Sequence, residues 1–95
     1  MEQILIVEDD WELNRGIARQ LEKEHYATFA AHTMEEAKSI LRVEPVHLVL
    51  LDVNLPDGDG FALLEWMNRE QKACPVVFLT ARDLEEDALR GYELG

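Results

Sequence analysis

A run of four large apolar residues, 48–51, lies in the middle of this 95-residue chain and ends at an acidic residue, Asp52. A run without polar alternation is typical of a strand that is buried on both faces, as in a parallel sheet. Parallel strands need a crossover segment between them, and that segment is usually a helix. This feature therefore favours an α/β fold and places a carboxylate at the end of a buried strand.

The rest of the chain alternates between strand and helix patterns. We predict strands at residues 3–7, 26–31, 47–51 and 75–80, and helices at residues 11–24, 60–71 and 83–94. A further helix is predicted to begin at the capping pattern of Thr33 and Glu36 and to end before Pro45. Because crossovers between parallel strands are right-handed, a doubly wound parallel sheet is the expected arrangement.

Composition and charge narrow the class of protein. The length suits one small domain, and no apolar run approaches the roughly 18 residues of a membrane span. The start of the chain has no signal-type pattern, so we expect a cytoplasmic protein without membrane contact. The net charge of -11 at pH 7 should repel nucleic acid phosphates, so we expect no nucleic acid contact by this domain. Cys74 is the single cysteine and is interpreted as an ordinary reduced thiol.

Polar side chains follow three of the predicted strands at the point where each strand ends. They are Glu8, Asp9, Asp10, Asp52, Asn54 and Thr80. The carboxyl ends of parallel strands meet at one edge of the sheet, where such folds bind ligands. Two carboxylates about 4 Å apart repel by roughly 4 kcal/mol at an effective dielectric constant of about 20, so a cluster of them needs a proton or a cation. Oxygen ligands favour Mg²⁺ or Ca²⁺ over zinc, and a carboxylate nucleophile beside Mg²⁺ suits phosphoryl chemistry.

Three segments on these strand ends resemble a known family. They are Val-Glu-Asp-Asp after the first strand, Leu-Leu-Asp-Val-Asn-Leu-Pro-Asp-Gly-Asp-Gly at the third, and Phe-Leu-Thr-Ala-Arg at the fourth. Together they resemble the receiver domains of response regulators, the CheY-like domains of two-component signal transduction. The resemblance implies one receiver domain over residues 1–95 and a flavodoxin-like sheet of strand order 2-1-3-4.

The resemblance also implies a role for individual residues. Asp52 matches the aspartate that accepts the phosphoryl group, and Thr80 matches the hydroxyl residue that senses it. Glu8 and Asp9 match the acidic pair that holds Mg²⁺ together with Asp52 and the backbone carbonyl of Asn54. Such a domain is not an enzyme: it takes its phosphoryl group from a sensor histidine kinase. A DNA-binding output domain is expected beyond residue 95.

The family's fifth strand, with its lysine, and its final helix have no counterpart in residues 1–95. From this we expect an incomplete receiver that is phosphorylated slowly or not detectably. We also expect an exposed edge on the fourth strand, which favours a homodimer or a strand-exchanged oligomer.

Simpler interpretations remain for several polar residues. Asp10, Asp57 and Asp59 are interpreted as helix-cap or turn residues, and the three histidines show no metal-ligand spacing.

Two other functions stay open: a Mg²⁺-dependent phosphoryl-transfer enzyme, and an interaction module that keeps the fold without phosphorylation. Turnover of phosphate esters would favour the enzyme, whereas stoichiometric labelling would favour the receiver.

Overall fold

The computed structural model describes residues 2–79, which form a four-stranded parallel sheet with helices on both faces and a minimal hairpin beside it. In chain order the elements are β1 (Gln3–Val7), α1 (Trp11–Lys23), β2 (Ala27–Ala31), α2 (Met34–Val43), β3 (Leu48–Asp52), β4 (Asn54–Leu55), β5 (Gly58–Asp59), α3 (Gly60–Arg69) and β6 (Val76–Leu79). The short strands β4 and β5 pair antiparallel with each other. The helix predicted at residues 83–94 lies outside the described residues.

The main sheet has the strand order β2-β1-β3-β6, and all its pairs are parallel. Since β6 is the fourth long strand of the chain, the predicted doubly wound sheet of order 2-1-3-4 is confirmed. The register pairs Val7 of β1 with Leu51 of β3, and Asp52 with Leu79 of β6. The residues that follow β1 and β3 therefore emerge next to each other at the carboxyl edge of the sheet.

Two apolar layers hold the helices on opposite faces of the sheet. Successive side chains of a strand point to opposite faces, so Leu5 and Val7 of β1 pack with α2 and α3, whereas Ile4 and Ile6 pack with α1. All four of these side chains are fully buried. As the sequence indicated, the strands β1 and β3 are continuously apolar because helices cover both of their faces.

The buried face of α3 differs from the one predicted. From the sequence alone, the spacing of Phe61, Leu64 and Met67 predicts that these three residues face the core. The structure instead buries Leu63, Trp66 and Met67. Phe61 is 52% exposed. Both sets recur at helical spacing, and the helix is apolar over much of its circumference, so the pattern alone did not fix its rotation.

The first two helices begin at side-chain caps. Asp10 accepts a hydrogen bond from the Leu13 backbone N–H at 3.1 Å, which confirms its interpretation as the cap of α1. Thr33 accepts one from the Glu36 N–H at 3.1 Å, as predicted for α2. In a capping box the Glu36 carboxylate would accept from the Thr33 N–H. Here it accepts from the N–H of the preceding residue, His32, at 2.6 Å.

Gly60, the first residue of α3, packs against the backbone that carries Asp52. A Cβ there would lie 2.5 Å from the Asp52 carbonyl oxygen and 3.1 Å from the Val53 Cα.

We expect Gly60→Ala to lower the free energy of unfolding by about 1–3 kcal/mol, because two backbone segments must separate. In the control Gly16→Ala, on the exposed face of α1, a Cβ meets nothing within 4 Å. That control should raise the free energy of unfolding by about 0.5–1 kcal/mol, because alanine favours a helix more than glycine does. Urea denaturation measures both, and equal effects would contradict the prediction.

Candidate functional site

Three acidic side chains meet at the carboxyl edge of the sheet. Carboxylate oxygens of Glu8, Asp9 and Asp52 all lie within 4.8 Å of one another. Glu8 and Asp9 follow β1 and Asp52 ends β3, so the parallel pairing of these two strands brings them together. Glu8 is only 3% exposed, Asp52 is half-buried and Asp9 is exposed. The three carboxylates predicted to form a site therefore do lie together.

The surroundings of Glu8 change the pKa of its carboxyl. The pKa of its carboxyl is raised to about 7, chiefly by burial, and the neighbouring Asp9 and Asp52 contribute to the same rise. The Asp10 backbone N–H, 3.0 Å from Glu8 Oε2, opposes the shift. Because the donors are all oxygens and the charge is concentrated and partly buried, the group fits a hard divalent cation better than a transition metal.

The loop after β3 shapes the surroundings of Asp52. The backbone N–H of Asn54 lies 3.3 Å from Asp52 Oδ1 and donates a hydrogen bond to it. This contact fixes one carboxylate oxygen beside the hairpin of β4 and β5. The ligand role expected for the Asn54 carbonyl stays a prediction, and Thr80 lies outside the described residues.

Asp57 has a role that the sequence did not reveal. Its two carboxylate oxygens accept hydrogen bonds from the backbone N–H groups of Met34 at 2.7 Å and Glu35 at 3.1 Å. It is a helix cap, as interpreted, but for α2, which lies more than twenty residues earlier in the chain. These hydrogen bonds, led by that of Met34, lower the pKa of Asp57. We call this contact the Asp57 strap, because it ties the loop after Asp52 to the start of α2.

Asn14 of α1 is a second residue that sequence reasoning missed. It is 1% exposed, and its Nδ2 donates to the backbone carbonyls of Ile6 at 3.2 Å, Glu8 at 3.1 Å and Ala31 at 3.2 Å. Its Oδ1 has no hydrogen-bond partner among the described residues. A buried acceptor left without a partner costs about 1–3 kcal/mol. The available signal was its place in the buried stripe of α1, which continues through Ile17.

An aromatic pair lies at the start of α1. Trp11, which is 63% exposed, stacks on His32 with ring centroids 3.5 Å apart and planes 9° from parallel. His32 Nδ1 also lies 3.4 Å from the Glu36 carboxylate. The acidic group of residues 2–79 that could hold a metal consists of Glu8, Asp9 and Asp52, and His32 is not part of it.

Within residues 2–79, no helix has both the length and the apolar character that crossing a membrane requires.

The comparisons with known proteins agree on one class. The sequence profile of the family described as "Response regulator receiver domain" matches residues 4–95. The transcriptional regulatory protein PmrA of Pectobacterium parmentieri is 41% identical over 93 residues, which are 98% of this chain and 42% of that protein. This chain thus spans about two fifths of the length of the curated relatives that it matches.

Solved structures extend the agreement to the fold. The non-phosphorylated HemR receiver domain from Leptospira biflexa has a TM-score of 0.79 and 41% identity, covering 100% of this chain and 77% of that one. The MaeR response regulator bound to beryllium trifluoride has a TM-score of 0.79 and 35% identity, covering 94% and 77%. The fold and the acidic edge define a CheY-like α/β signalling domain. The chain belongs to the response regulator receiver domain family, which confirms the resemblance seen in its motifs.

The lowered pKa of Asp57 gives a pH-dependent prediction. The strap stabilises the fold at pH values above the ordinary Asp pKa of 3.8, and this contribution is lost as the pH falls through the lower pKa of the folded state. We expect Asp57→Ala to reduce the free energy of unfolding at pH 7 by about 1 kcal/mol, the typical value of a helix cap. The deficit should shrink in strong acid. Urea denaturation checks this against Glu65→Ala, an exposed control, and a deficit of the same size at every pH would contradict it.

The raised pKa of Glu8 has the opposite effect on stability. The folded state binds the Glu8 proton more tightly than the unfolded state, so the stabilisation present below pH 4.5 is lost as the pH rises to about 7. The loss has an upper bound of roughly 3 kcal/mol. We expect urea denaturation in EDTA to show this decline in the parent chain and in the exposed control Glu12→Gln, but not in Glu8→Gln. Mg²⁺ should reverse the decline; a parallel profile for Glu8→Gln would contradict the assignment.

Proposed function

We propose that this domain is the phosphoacceptor of a two-component response regulator and that Asp52 takes up the phosphoryl group. The observation that carries the proposal is the meeting of Glu8, Asp9 and Asp52 at the carboxyl edge of the sheet in a member of the receiver family. A receiver is a signalling module, and we propose that this chain acts stoichiometrically, not as an enzyme with turnover.

The reaction follows from the position of Asp52. One of its carboxylate oxygens attacks the phosphorus of a phosphohistidine in a sensor kinase; a P–O bond forms and the P–N bond breaks. The electron pair of the P–N bond returns to the imidazole, which is then protonated. The Asn54 N–H holds Asp52 Oδ1 at 3.3 Å, which orients the carboxylate. This favours attack by the second oxygen.

The acidic surroundings of Asp52 need a counterion for this reaction. Carboxylates at such separations repel one another, and they would also repel the negative charge of an incoming phosphoryl group. Glu8, Asp9, Asp52 and the Asn54 carbonyl would hold Mg²⁺. When bound, Mg²⁺ offsets the negative charge of the transferring group. The pKa of Glu8, raised chiefly by burial and also by Asp9 and Asp52, supports this proposal, because a bound cation would favour the ionised carboxylate.

The partners of the domain follow from the same proposal. A sensor histidine kinase supplies the phosphoryl group, and in a longer protein an output domain would read the phosphorylated state and bind DNA. PmrA, which shares 41% identity, is described as a transcriptional regulatory protein and supports this. With a charge of -11, the receiver itself is proposed to avoid nucleic acid and to work in the cytoplasm.

Self-association through β6 also remains part of the proposal. Among the described residues β6 pairs with β3 alone, and its Val76, Val77 and Phe78 side chains are only half-buried. An edge of this kind can pair with a second chain. Sedimentation over a concentration series distinguishes the proposed oligomer from a monomer.

Mass spectrometry after prolonged incubation with acetyl phosphate and Mg²⁺ tests the proposed function. We expect the chain to gain one phosphoryl group slowly, and we expect no gain for Asp52→Asn or in EDTA. The control Asp59→Asn removes a carboxylate that caps α3 through the Phe61 N–H at 2.7 Å, and it should be labelled like the parent. Equal labelling of Asp52→Asn would contradict the site. No labelling would favour an interaction module, and release of phosphate over many turnovers would favour an enzyme.

A further inference from the structure

The side-chain amide of Asn14 lies directly behind the acidic site. Asn14 is on α1, yet its Nδ2 donates to the carbonyls of Ile6 and Glu8 at the end of β1 and of Ala31 at the end of β2. The Ala31 carbonyl also accepts the Glu8 N–H at 3.0 Å. One amide group thus joins a helix to the ends of two neighbouring strands, at the point where the chain turns into the acidic residues.

These contacts hold the backbone of Glu8 on both sides. Its N–H is bonded to Ala31, its carbonyl to Asn14, and its carboxylate to the Asp10 N–H at 3.0 Å. Glu8 therefore has little freedom to rotate. The next residue, Asp9, starts from a peptide plane that Asn14 fixes.

The orientation of the Asn14 amide is determined by its neighbours. Turning the group over would place Oδ1 against three carbonyl oxygens, which repel it, so Nδ2 must face them. Oδ1 is then buried without a hydrogen-bond partner in residues 2–79. An apolar residue would avoid this unmet acceptor and would continue the stripe that Ile17 and Leu21 form on α1. The asparagine gives up the apolar contacts of that stripe for contacts to the strand ends beside the acidic residues, which indicates a role at the site.

We propose that Asn14 is a positioning residue that sets the geometry of Glu8 and Asp9 for Mg²⁺. The inference rests on the proposed function, since it assigns to Asn14 the support of a cation site. Residues that orient metal ligands from behind typically change metal affinity about 10–100-fold when they are replaced. Asn14 is expected to act in the same range without contacting the ion.

The test measures Mg²⁺ affinity by isothermal titration calorimetry on the chain of residues 1–95, with urea denaturation in parallel. Asn14→Leu should weaken Mg²⁺ binding by about 10-fold or more. The control Ile17→Val removes one buried methylene one turn further along α1 and should leave the affinity unchanged, even where it lowers stability. Unchanged affinity for Asn14→Leu, or an equal loss in both variants, would overturn the proposal. If the parent chain itself binds no Mg²⁺, the proposed function fails. That result differs from one in which the parent binds Mg²⁺ and Asn14→Leu binds it equally well.

A second measurement uses the unmodified chain and does not depend on a variant that folds. During a Mg²⁺ titration followed by NMR, the Asn14 side-chain amide resonances should shift with the same midpoint as the Asp9 backbone amide. Resonances of Asn14 that stay in place while those of Asp9 shift would overturn the proposal.

Discussion

The parallel pairing of β1 with β3 is the constraint on which the site depends. Its register places Val7 beside Leu51, so the next residues, Glu8 after β1 and Asp52 at the end of β3, emerge at the same height on the carboxyl edge. A shift of one residue would turn every side chain of one strand to the opposite face and bury the wrong set. Because both faces are packed against helices, the apolar core fixes this register, and the register in turn fixes the distance between Asp52 and the residues after β1.

The core therefore stabilises a site that is itself unfavourable without a cation. Fully buried leucine, isoleucine and valine side chains on both faces of β1 and β3 provide the apolar burial. Part of that stabilisation is offset where Glu8 is buried next to Asp9 and Asp52. At the same edge, Asn14 Oδ1 is buried without a hydrogen-bond partner among residues 2–79. Such costs at one edge of an otherwise consistent fold are typical of functional sites.

The sequence predicted those parts of the fold and of the site that depend on a pattern of neighbouring residues. The apolar runs located the strands of the sheet to within one or two residues at each end within the described part of the chain, and the polar residues at their ends located the carboxylate cluster. The face of α3 could not be predicted, because Phe61, Leu63 and Leu64 are all apolar and only packing decides between them. Trp66 is buried there beneath Lys38 and Arg42, whose charged groups lie 5.7 and 5.4 Å from its ring.

The contacts of Asp57 and Asn14 escaped prediction for a related reason: each joins elements that are distant in sequence, and nothing local marks the partner. For Asp57 this has a kinetic consequence. The Met34 and Glu35 amides are bonded to a carboxylate of another loop, so they can exchange hydrogen with water only when that loop moves away. Hydrogen exchange at these two amides of α2 therefore reports the separation of a loop that lies more than twenty residues further along the chain.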